Sequence, residues 1–472
     1  MKNLDRRDFL KISAATAAAA SIPEAAAAFA SAPTGELSVW TTAGSQRHAK
    51  QEPLRWSAGK RGKTDIVIDA TKQYQDVLGF GAAFTDAACY TLNRLDIDVR
   101  KELFHKLFHP SEVGLSVGRV CIGASDYASK AYSYSEGEEP DPELARFSID
   151  HDREYILPIL KEARALNPDI WLLASPWSPP AWMKFNKSML GGSMRRRWLK
   201  EYARYFEKFL ASYAEAGVKI NSVTPQNEVD TDQDGRMPAC TWPQEYEIEF
   251  VRDHLGPVLE NSPHKADIWV LDHNYNLWGR ALCELEDEGA RKYIKGIAWH
   301  GYVGAPDAMT RVKKAYPQVD MFWTEGGPDW DTPGYDTEWS KWSYEFTRIL
   351  RNWSRCVMAW NYALDEKGKP NIGPFNCAGL VTVDSQTRAI TLSGQYWALA
   401  HFSRHVRRGA RIVESSGGPT DVHHVVANNP GGGFAAVLTN RAKSEQVVRL
   451  ASGRSATTVT LPADSVTTLT WS

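Results

Sequence analysis

The chain lacks the patterns that mark several common classes of protein. Its six cysteines form no C-x-x-C pair and have no histidine nearby at zinc spacing, so they are interpreted as small core residues, with their pairing left open. It has no long basic run beyond residues 194–197 and a net charge of −2, so composition gives no support for nucleic-acid binding. No repeat of solenoid period and no low-complexity segment follows residue 32. These absences leave a large globular protein of 472 residues.

The N-terminus has the pattern of an export signal. Residues 5–11 contain two adjacent arginines followed by Phe-Leu-Lys, and an alanine-rich stretch covers residues 12–30. Pro23 and Glu24 interrupt this weakly hydrophobic stretch, whereas a membrane span needs about 20 strongly apolar residues. Residues 1–32 are therefore predicted to be a twin-arginine signal peptide that directs the protein to the periplasm or outside the cell, without stable membrane insertion. The alternative is a frayed alanine-rich helix.

Aromatic residues are abundant, with 18 Trp and 18 Tyr. Their flat faces suit sugar rings, which present apolar C–H patches inside a rim of hydroxyls. For any single Trp, the alternative to a sugar-binding role is a structural role in the hydrophobic core.

The middle of the chain alternates short apolar runs with amphipathic helices, the pattern of repeated βα units. Eight runs are predicted to be strands: residues 77–80, 115–122, 171–174, 222–225, 268–271, 296–299, 321–324 and 357–360. Helices with apolar residues at three- and four-residue spacing are predicted over residues 155–165, 198–214, 281–294 and 339–353. Eight such units close a (β/α)8 TIM barrel, an α/β fold whose chemistry lies at the C-terminal ends of the strands.

Both ends of the chain outside this region have an all-β pattern. The tail is rich in Val and Thr and contains five predicted strands, at residues 422–427, 433–439, 446–450, 457–461 and 465–471. Two further predicted strands, residues 37–41 and 64–68, could complete the same accessory β-sandwich. The predicted domains are therefore residues 33–75 and 401–472 for the two parts of the sandwich, and residues 76–400 for the catalytic barrel.

Two of the predicted barrel strands lead into a glutamate. Strand four continues into Asn227 and Glu228, and strand seven into Glu325. Hydrolysis of a glycosidic bond by the retaining route needs one carboxyl to protonate the leaving oxygen and a second to attack the anomeric carbon. Glu228 and Glu325 are predicted to be this pair, with Asn227 donating to the neighbouring sugar hydroxyl. The alternative for each glutamate is a solvated carboxylate on the rim.

Other strand ends supply the remaining parts of a sugar pocket. Two carboxylates could accept sugar hydroxyls and two tryptophans could stack on the ring, while a histidine and a tyrosine follow strand six. These residues are Asp86, Asp126, Trp177, Trp360, His300 and Tyr302.

The ordered strings GFGAAFTDA, SPWSPPAWMK, QNE, HGY, TEGG and WNYALD resemble glycoside hydrolase family 30 over nearly the whole chain after the signal. The resemblance implies a barrel paired with a β-sandwich built from both chain ends. It implies a retaining β-glycoside hydrolase of the glucosylceramidase type with Glu228 as acid/base and Glu325 as nucleophile, and without a cofactor or metal. Asp86, Trp177, Asn227 and Trp360 would line the glucose subsite, and Asp126, His300, Tyr302 and Asn376 also occupy matching positions.

Two further expectations follow from these roles. Because Glu325 must be ionised while Glu228 is protonated, the charge of Glu325 is expected to raise the pKa of Glu228. The substrate is expected to be a carbohydrate or glycolipid. Residues 127–140 and 230–240 depart from the family pattern, so two alternative activities stay open, those of an endo-β-1,6-glucanase and of a β-xylosidase. A non-catalytic carbohydrate-binding protein would keep the aromatics but need neither glutamate.

Three short motifs favour other functions. Residues 114–118 match the G-x-S-x-G pattern of serine hydrolases, but the strand continues past the serine. Asp230, Asp232 and Asp234 match the first half of a calcium loop, whose twelfth position is Thr241 rather than Glu. Gly79 and Gly81 lack the third glycine of a dinucleotide-binding turn. None of these motifs has the sequence context that its function requires.

Overall fold

The computed structural model describes residues 33–59, 61–231 and 235–472. The predicted signal peptide lies outside the described residues, as do Asp232 and Asp234 of the acidic loop. Within the described ranges no helix is both long and apolar enough to cross a bilayer. All six cysteines lie in these ranges, and none forms a disulfide.

The chain begins with sandwich strands and then enters a closed parallel barrel. The first strands are β1 (Glu36–Ala43), β2 (Gln46–Arg55), β3 (Ser57–Ala58) and β4 (Ile66–Asp76). The barrel strands are β5 (Gly79–Phe84), β6 (Val117–Cys121), β7 (Trp171–Ser175), β8 (Ser222–Val223), β9 (Asp267–Asn274), β10 (Ile294–His300), β11 (Asp320–Glu325) and β12 (Ser354–Ala359). Neighbours pair in chain order, and β12 closes the barrel against β5. The predicted (β/α)8 barrel is confirmed.

Helices surround the barrel and cover its apolar strands. In chain order they are α1 (Asp86–Asn93), α2 (Ile97–Phe108), α3 (Asp150–Glu154), α4 (Ile156–Leu166), α5 (Leu199–Glu215), α6 (Gln244–Glu249), α7 (Gly256–Asn261), α8 (Trp278–Glu286), α9 (Glu288–Arg291), α10 (Asp307–Ala315), α11 (Trp339–Arg351) and α12 (Gly394–Ser403). A π-helical turn, Phe250–Leu255, joins α6 to α7.

The structure differs from the predicted elements at several barrel positions. The helix predicted over residues 281–294 is two helices, because Asp287 caps a new helix by accepting a hydrogen bond from the Ala290 backbone N–H. Strand four ends at Val223 rather than residue 225. The sequence analysis did not predict a small sheet of three strands, β13 (Ala363–Leu364), β14 (Val381–Val383) and β15 (Ile390–Leu392). Strands of two or three residues are too short to show an alternating apolar pattern.

The sandwich is one hydrogen-bonded sheet of ten strands drawn from both ends of the chain. Its C-terminal strands are β16 (Arg411–Gly417), β17 (Val422–Asn428), β18 (Phe434–Asn440), β19 (Gln446–Ser452), β20 (Ser455–Leu461) and β21 (Ser465–Trp471). The strand order is β2-β1-β21-β18-β17-β16-β4-β19-β20-β3, so β21 joins the N-terminal hairpin to the rest. Leu37 in β1 and Leu461 in β20 share one apolar core, so the sheet wraps onto itself.

Helices α11 and α12 pack the barrel against the sandwich. In α11, the indole of Trp339 donates to the backbone oxygen of Asp464 at 2.7 Å. In α12, the buried imidazole of His401 lies between the hydroxyls of Thr42 and Thr468, each at 2.9 Å. These polar bonds fix the orientation of the barrel on the sandwich.

Three imidazoles meet at this interface. The Nε2 atoms of His48 and His405 lie 3.0 Å apart, and the His48 ring is 4.7 Å from the His401 ring. Burial is the main cause and the charges of neighbouring groups the smaller cause of a lowered pKa in all three rings. The pKa of His48 is lowered to about 4, and the pKa values of His401 and His405 lie well below the ordinary value. The three rings are therefore neutral at neutral pH.

We expect this interface to lose stability in acid. Each buried imidazole stays neutral in the folded protein while the unfolded chain takes up a proton below pH about 6.5, so the free energy of unfolding falls as the pH falls below that value. Between pH 7.5 and pH 5 in urea unfolding, His401→Gln should reduce this fall by about 2 kcal/mol in total, because the limiting slope of about 1.4 kcal/mol per pH unit applies only well below pH 6.5. The exposed His105→Gln is the matched control. Equal pH dependence in wild type and His401→Gln would contradict the prediction.

Candidate active site

A cavity of about 360 Å³ lies at the C-terminal ends of the barrel strands. Its wall contains acidic, aromatic and histidine side chains that come from different barrel strands. Those discussed below are Asp126, Trp177, Glu228, His273, Asn274, Tyr302, Glu325 and Trp360.

Glu228 and Glu325 face this cavity together. Glu325 is the last residue of β11 and is 5% exposed. Glu228 follows β8 in a left-handed backbone conformation (φ 46°), which its N–H stabilises by donating to the Asp272 carbonyl at 3.1 Å. The His300 imidazole contacts both, with Nδ1 3.1 Å from Glu228 Oε1 and Nε2 3.7 Å from Glu325 Oε2.

Arg119 stands in the centre of β6 and is fully buried. Its guanidinium donates to Glu325, to Asp272 at 2.7 Å and to Asn227 Oδ1 at 2.7 Å. Because a guanidinium only donates, the Asn227 oxygen must point toward it, and Nδ2 remains the donor. The amide orientation therefore agrees with the predicted role of Asn227.

Asp272 connects Arg119 to His300. It accepts hydrogen bonds from Arg119, from His300 Nε2 at 3.0 Å, and from the hydroxyls of Ser175, Thr224 and Thr324. Burial opposes its ionisation, but the charge of Arg119 and the bond from His300 outweigh burial and hold the pKa of Asp272 well below its ordinary range. Asp272 is therefore a permanent negative charge behind the cavity.

The surrounding charges set the protonation of the glutamates. Burial lowers the pKa of His300, but the charge of Glu325 and the bonds to Asp272 and Glu228 outweigh it and raise the pKa to about 9. Burial would raise the pKa of Glu228, yet the bond from His300 and the charges of His273 and His300 bring it below its ordinary value. Burial raises the pKa of Glu325. The expectation of a raised pKa for Glu228 is therefore wrong for the free site, because it omitted the two imidazoles.

The other cavity residues predicted from the sequence are also close together. The rings of Trp177 and Trp360 stack with centroids 5.2 Å apart. Asp126 is buried, its Oδ1 has no hydrogen-bond partner among the described residues, and burial holds its pKa well above the ordinary value. Tyr302 donates to Glu325 Oε1 at 3.1 Å and is 44% exposed. Asn274 fixes the Tyr302 loop, because its Oδ1 accepts the backbone N–H groups of Tyr302 and Val303.

The structure does not bring Asp86 and Asn376 to the cavity wall. Both oxygens of Asp86 are used by the protein: Oδ1 contacts His151 and Tyr155, each at 2.6 Å, and Oδ2 accepts the Ser129 N–H at 2.7 Å. Asn376 is exposed, and its Nδ2 donates to Asp331 at 3.0 Å.

Sequence reasoning missed Arg119, Asp272 and His273. A signal was present, because an arginine inside an apolar strand has to be paired if the strand is buried. Asp272 and His273 follow the predicted strand five directly, so reading every strand end would have found them. Ser116 of the G-x-S-x-G motif precedes β6 and so lies at the opposite end of the barrel from the glutamates.

Family comparisons cover most of the chain. The model of the "Glycosyl hydrolase family 30 TIM-barrel domain" matches residues 77–406, and the family 30 beta sandwich domain matches residues 409–469. A twin-arginine translocation signal matches residues 3–23, so the chain carries the signal for export by that pathway to the periplasm or outside the cell.

Individual relatives include two activities. The chain is 30% identical over 374 residues to an endo-1,6-beta-D-glucanase of Neurospora crassa, covering 76% of each chain. It is 28% identical to the lysosomal acid glucosylceramidase of Mus musculus, covering 80% of this chain and 78% of that one. The solved structure of an endo-beta1,6-glucanase superposes with a TM-score of 0.84 at 27% identity, covering 93% of this chain and all of that one.

We expect Arg119 to be essential for stability. Replacing it with Met leaves the buried Asp272 and Glu325 without their cation, which should lower the free energy of unfolding by about 3–5 kcal/mol. The control is Arg311→Met, which breaks an exposed ion pair with Asp307 and should cost less than about 1 kcal/mol. Urea unfolding at pH 7 measures both. Similar losses in the two variants would contradict the importance of the buried pair.

Proposed function

The chain belongs to glycosyl hydrolase family 30 and is a glycoside hydrolase, and we propose that it is a retaining β-glucosidase that acts through Glu228 and Glu325. The observation that carries the proposal is the placement of these two carboxyls on one cavity, in contact with one imidazole. This supports an enzyme rather than a non-catalytic carbohydrate-binding protein, because a binding protein needs neither glutamate.

In the first step Glu325 attacks the anomeric carbon while Glu228 donates its proton to the leaving oxygen, which forms a glycosyl ester. Arg119 and Tyr302 hold the two oxygens of Glu325 and so orient the attacking carboxylate. Asn227 Nδ2 donates to the sugar hydroxyl beside the anomeric carbon, and the unpartnered Oδ1 of Asp126 contacts a further hydroxyl. Trp177 and Trp360 supply the aromatic wall.

The productive state needs the proton on Glu228 and the negative charge on Glu325. In the free site the pKa of Glu228 is lowered and that of Glu325 is raised, so the surroundings of both carboxyls oppose this distribution. The protonated His300 ring contacts both carboxyls, with Nδ1 toward Glu228 and Nε2 toward Asp272 and Glu325, so its charge stabilises either glutamate as a carboxylate.

In the second step water replaces the aglycone. Formation of the ester removes the charge of Glu325, so Glu228, now ionised, takes the proton of the attacking water. The product keeps the β configuration because two displacements occur at the same carbon.

Azide chemistry separates the two roles. On an activated aryl β-glucoside, Glu228→Ala should be rescued by azide and give the β-glucosyl azide, because the ester on Glu325 still forms. Glu325→Ala should lose about 10⁴-fold in kcat and be rescued to the α-glucosyl azide, because azide then attacks directly. The anomeric configuration is read by NMR. The same azide anomer from both variants, or no rescue in either, would contradict the assignment.

For the substrate we propose a β-1,6-linked glucan. The support is the similarity to endo-1,6-glucanases at 27–30% identity. Polar side chains at the cavity wall beyond the glutamates also suit the hydroxyls of a second sugar, and these are Thr231, His273, Asn274 and Asp329. A glucosylceramide is the second candidate, because Val303 and Phe375 expose apolar surface at the same wall (51% and 41%) and the mouse relative is a glucosylceramidase.

A substrate panel tests this choice. Gentiobiose and β-1,6-glucan should be hydrolysed with kcat/KM at least about tenfold above glucosylceramide in detergent, and an aryl β-xyloside should be poorer because it lacks the hydroxymethyl group. Released sugar is measured at equal enzyme concentration, with Glu325→Gln as the blank. Preference for glucosylceramide or the xyloside would overturn the glucan proposal and leave the retaining mechanism intact.

A further inference from the structure

Three potential metal-ligand atoms converge on one side of the cavity. Glu228 Oε1 lies 3.5 Å from His273 Nδ1 and 3.1 Å from His300 Nδ1, and all three atoms lie within 4.8 Å of one another. In a tetrahedral Zn²⁺ site with bonds of about 2.0–2.1 Å, neighbouring ligand atoms are about 3.3 Å apart. The two distances from Glu228 are therefore close to the spacing of a zinc ligand set.

A carboxylate orients each imidazole for this role. His273 Nε2 is bonded to Asp230, and His300 Nε2 is bonded to Asp272 at 3.0 Å. Metal-binding histidines typically donate their second N–H to a carboxylate, which fixes the ring and raises the basicity of the coordinating nitrogen. In both rings the carboxylate takes Nε2, so Nδ1 is the atom that faces Glu228.

His273 Nδ1 is the observation that points to a ligand. The side chain is only 6% exposed, and Nδ1 makes no hydrogen bond within the described part of the chain. A buried polar atom without a hydrogen bond costs free energy, and a bound ion would remove that cost. His273 touches no reacting atom in the two displacement steps proposed above, and neither its effect on the pKa of Glu228 nor a place on the cavity wall requires Nδ1 to lack a partner.

We propose that Glu228, His273 and His300 bind one divalent transition-metal ion of the Zn²⁺ class, with its fourth position open to the cavity. The set of two histidines and one glutamate matches the preferences of Zn²⁺. Binding requires Nδ1 of both imidazoles to be free of a proton, so any proton that His300 shares with Glu228 or that His273 carries on Nδ1 is released to solvent. The ion acts as an inhibitor because it occupies the Glu228 oxygen that transfers the proton, and this consequence rests on the proposed function.

Direct binding is measured on the mature protein without using activity. After treatment with EDTA and dialysis at pH 8, Co²⁺ should give the intense visible bands of a tetrahedral site, and Zn²⁺ should bind one ion per chain by calorimetry. His273→Gln should abolish both signals. Asp230→Asn should weaken Zn²⁺ binding about 10- to 100-fold by loosening the His273 ring. His105→Gln and Cys283→Ser, which change exposed potential ligands elsewhere, are the controls.

Absence of tetrahedral Co²⁺ bands, or binding that survives in His273→Gln, would overturn the proposal. Stoichiometric binding with competitive inhibition of glucoside hydrolysis, reversed by EDTA, would support it. The two proposals fail separately: a chain that binds Zn²⁺ but hydrolyses no glycoside refutes the proposed function, and an active chain that binds no ion refutes the metal site.

Discussion

The positive charge of Arg119 is the constraint on which the geometry of the cavity depends. Asp272 and Glu325 lie within bonding distance of this one guanidinium in the interior of the barrel, where unpaired carboxylates could not remain ionised. The same group fixes the amide of Asn227 and lies over the Trp177 ring. Because Arg119 belongs to the middle of a barrel strand, these distances are set by the backbone rather than by a loop.

The barrel was predictable because its strands are short apolar runs that recur between amphipathic helices, and this pattern can be read from the sequence alone. Strand β2 was not predicted, since Gln46–Arg55 is largely polar, is exposed or only partly buried along its whole length, and carries no alternating apolar pattern. Its position at the edge of the sheet explains that composition, because one face and one edge contact solvent. The position of Glu325 followed directly from the end of its strand. Strand β8 ends at Val223, so the position of Glu228 is set by the conformation of the loop that follows, which the sequence does not reveal.

Within the site, sequence reasoning identified residue types but not their partners. Asp86 and Asp126 are both aspartates after a strand, yet Asp86 is held by His151 and Tyr155, which are more than 60 residues away along the chain. The lowered pKa of Glu228 has the same origin, because His273 and His300 come from the next strands around the barrel. Contacts of this kind arise from the closure of the sheet and leave no local pattern in the sequence.

The position of β21 between β1 and β18 has a consequence for folding. The hairpin of β1 and β2 is synthesised before the barrel, but its partner strand is synthesised more than 400 residues later. Until then the edge of β1 is an open hydrogen-bonding surface, which can pair with other chains. Contacts so distant in sequence also form slowly. The sandwich can therefore close only after translation has passed the barrel, and the twin-arginine pathway, which exports folded proteins, suits a chain that completes its core in this order.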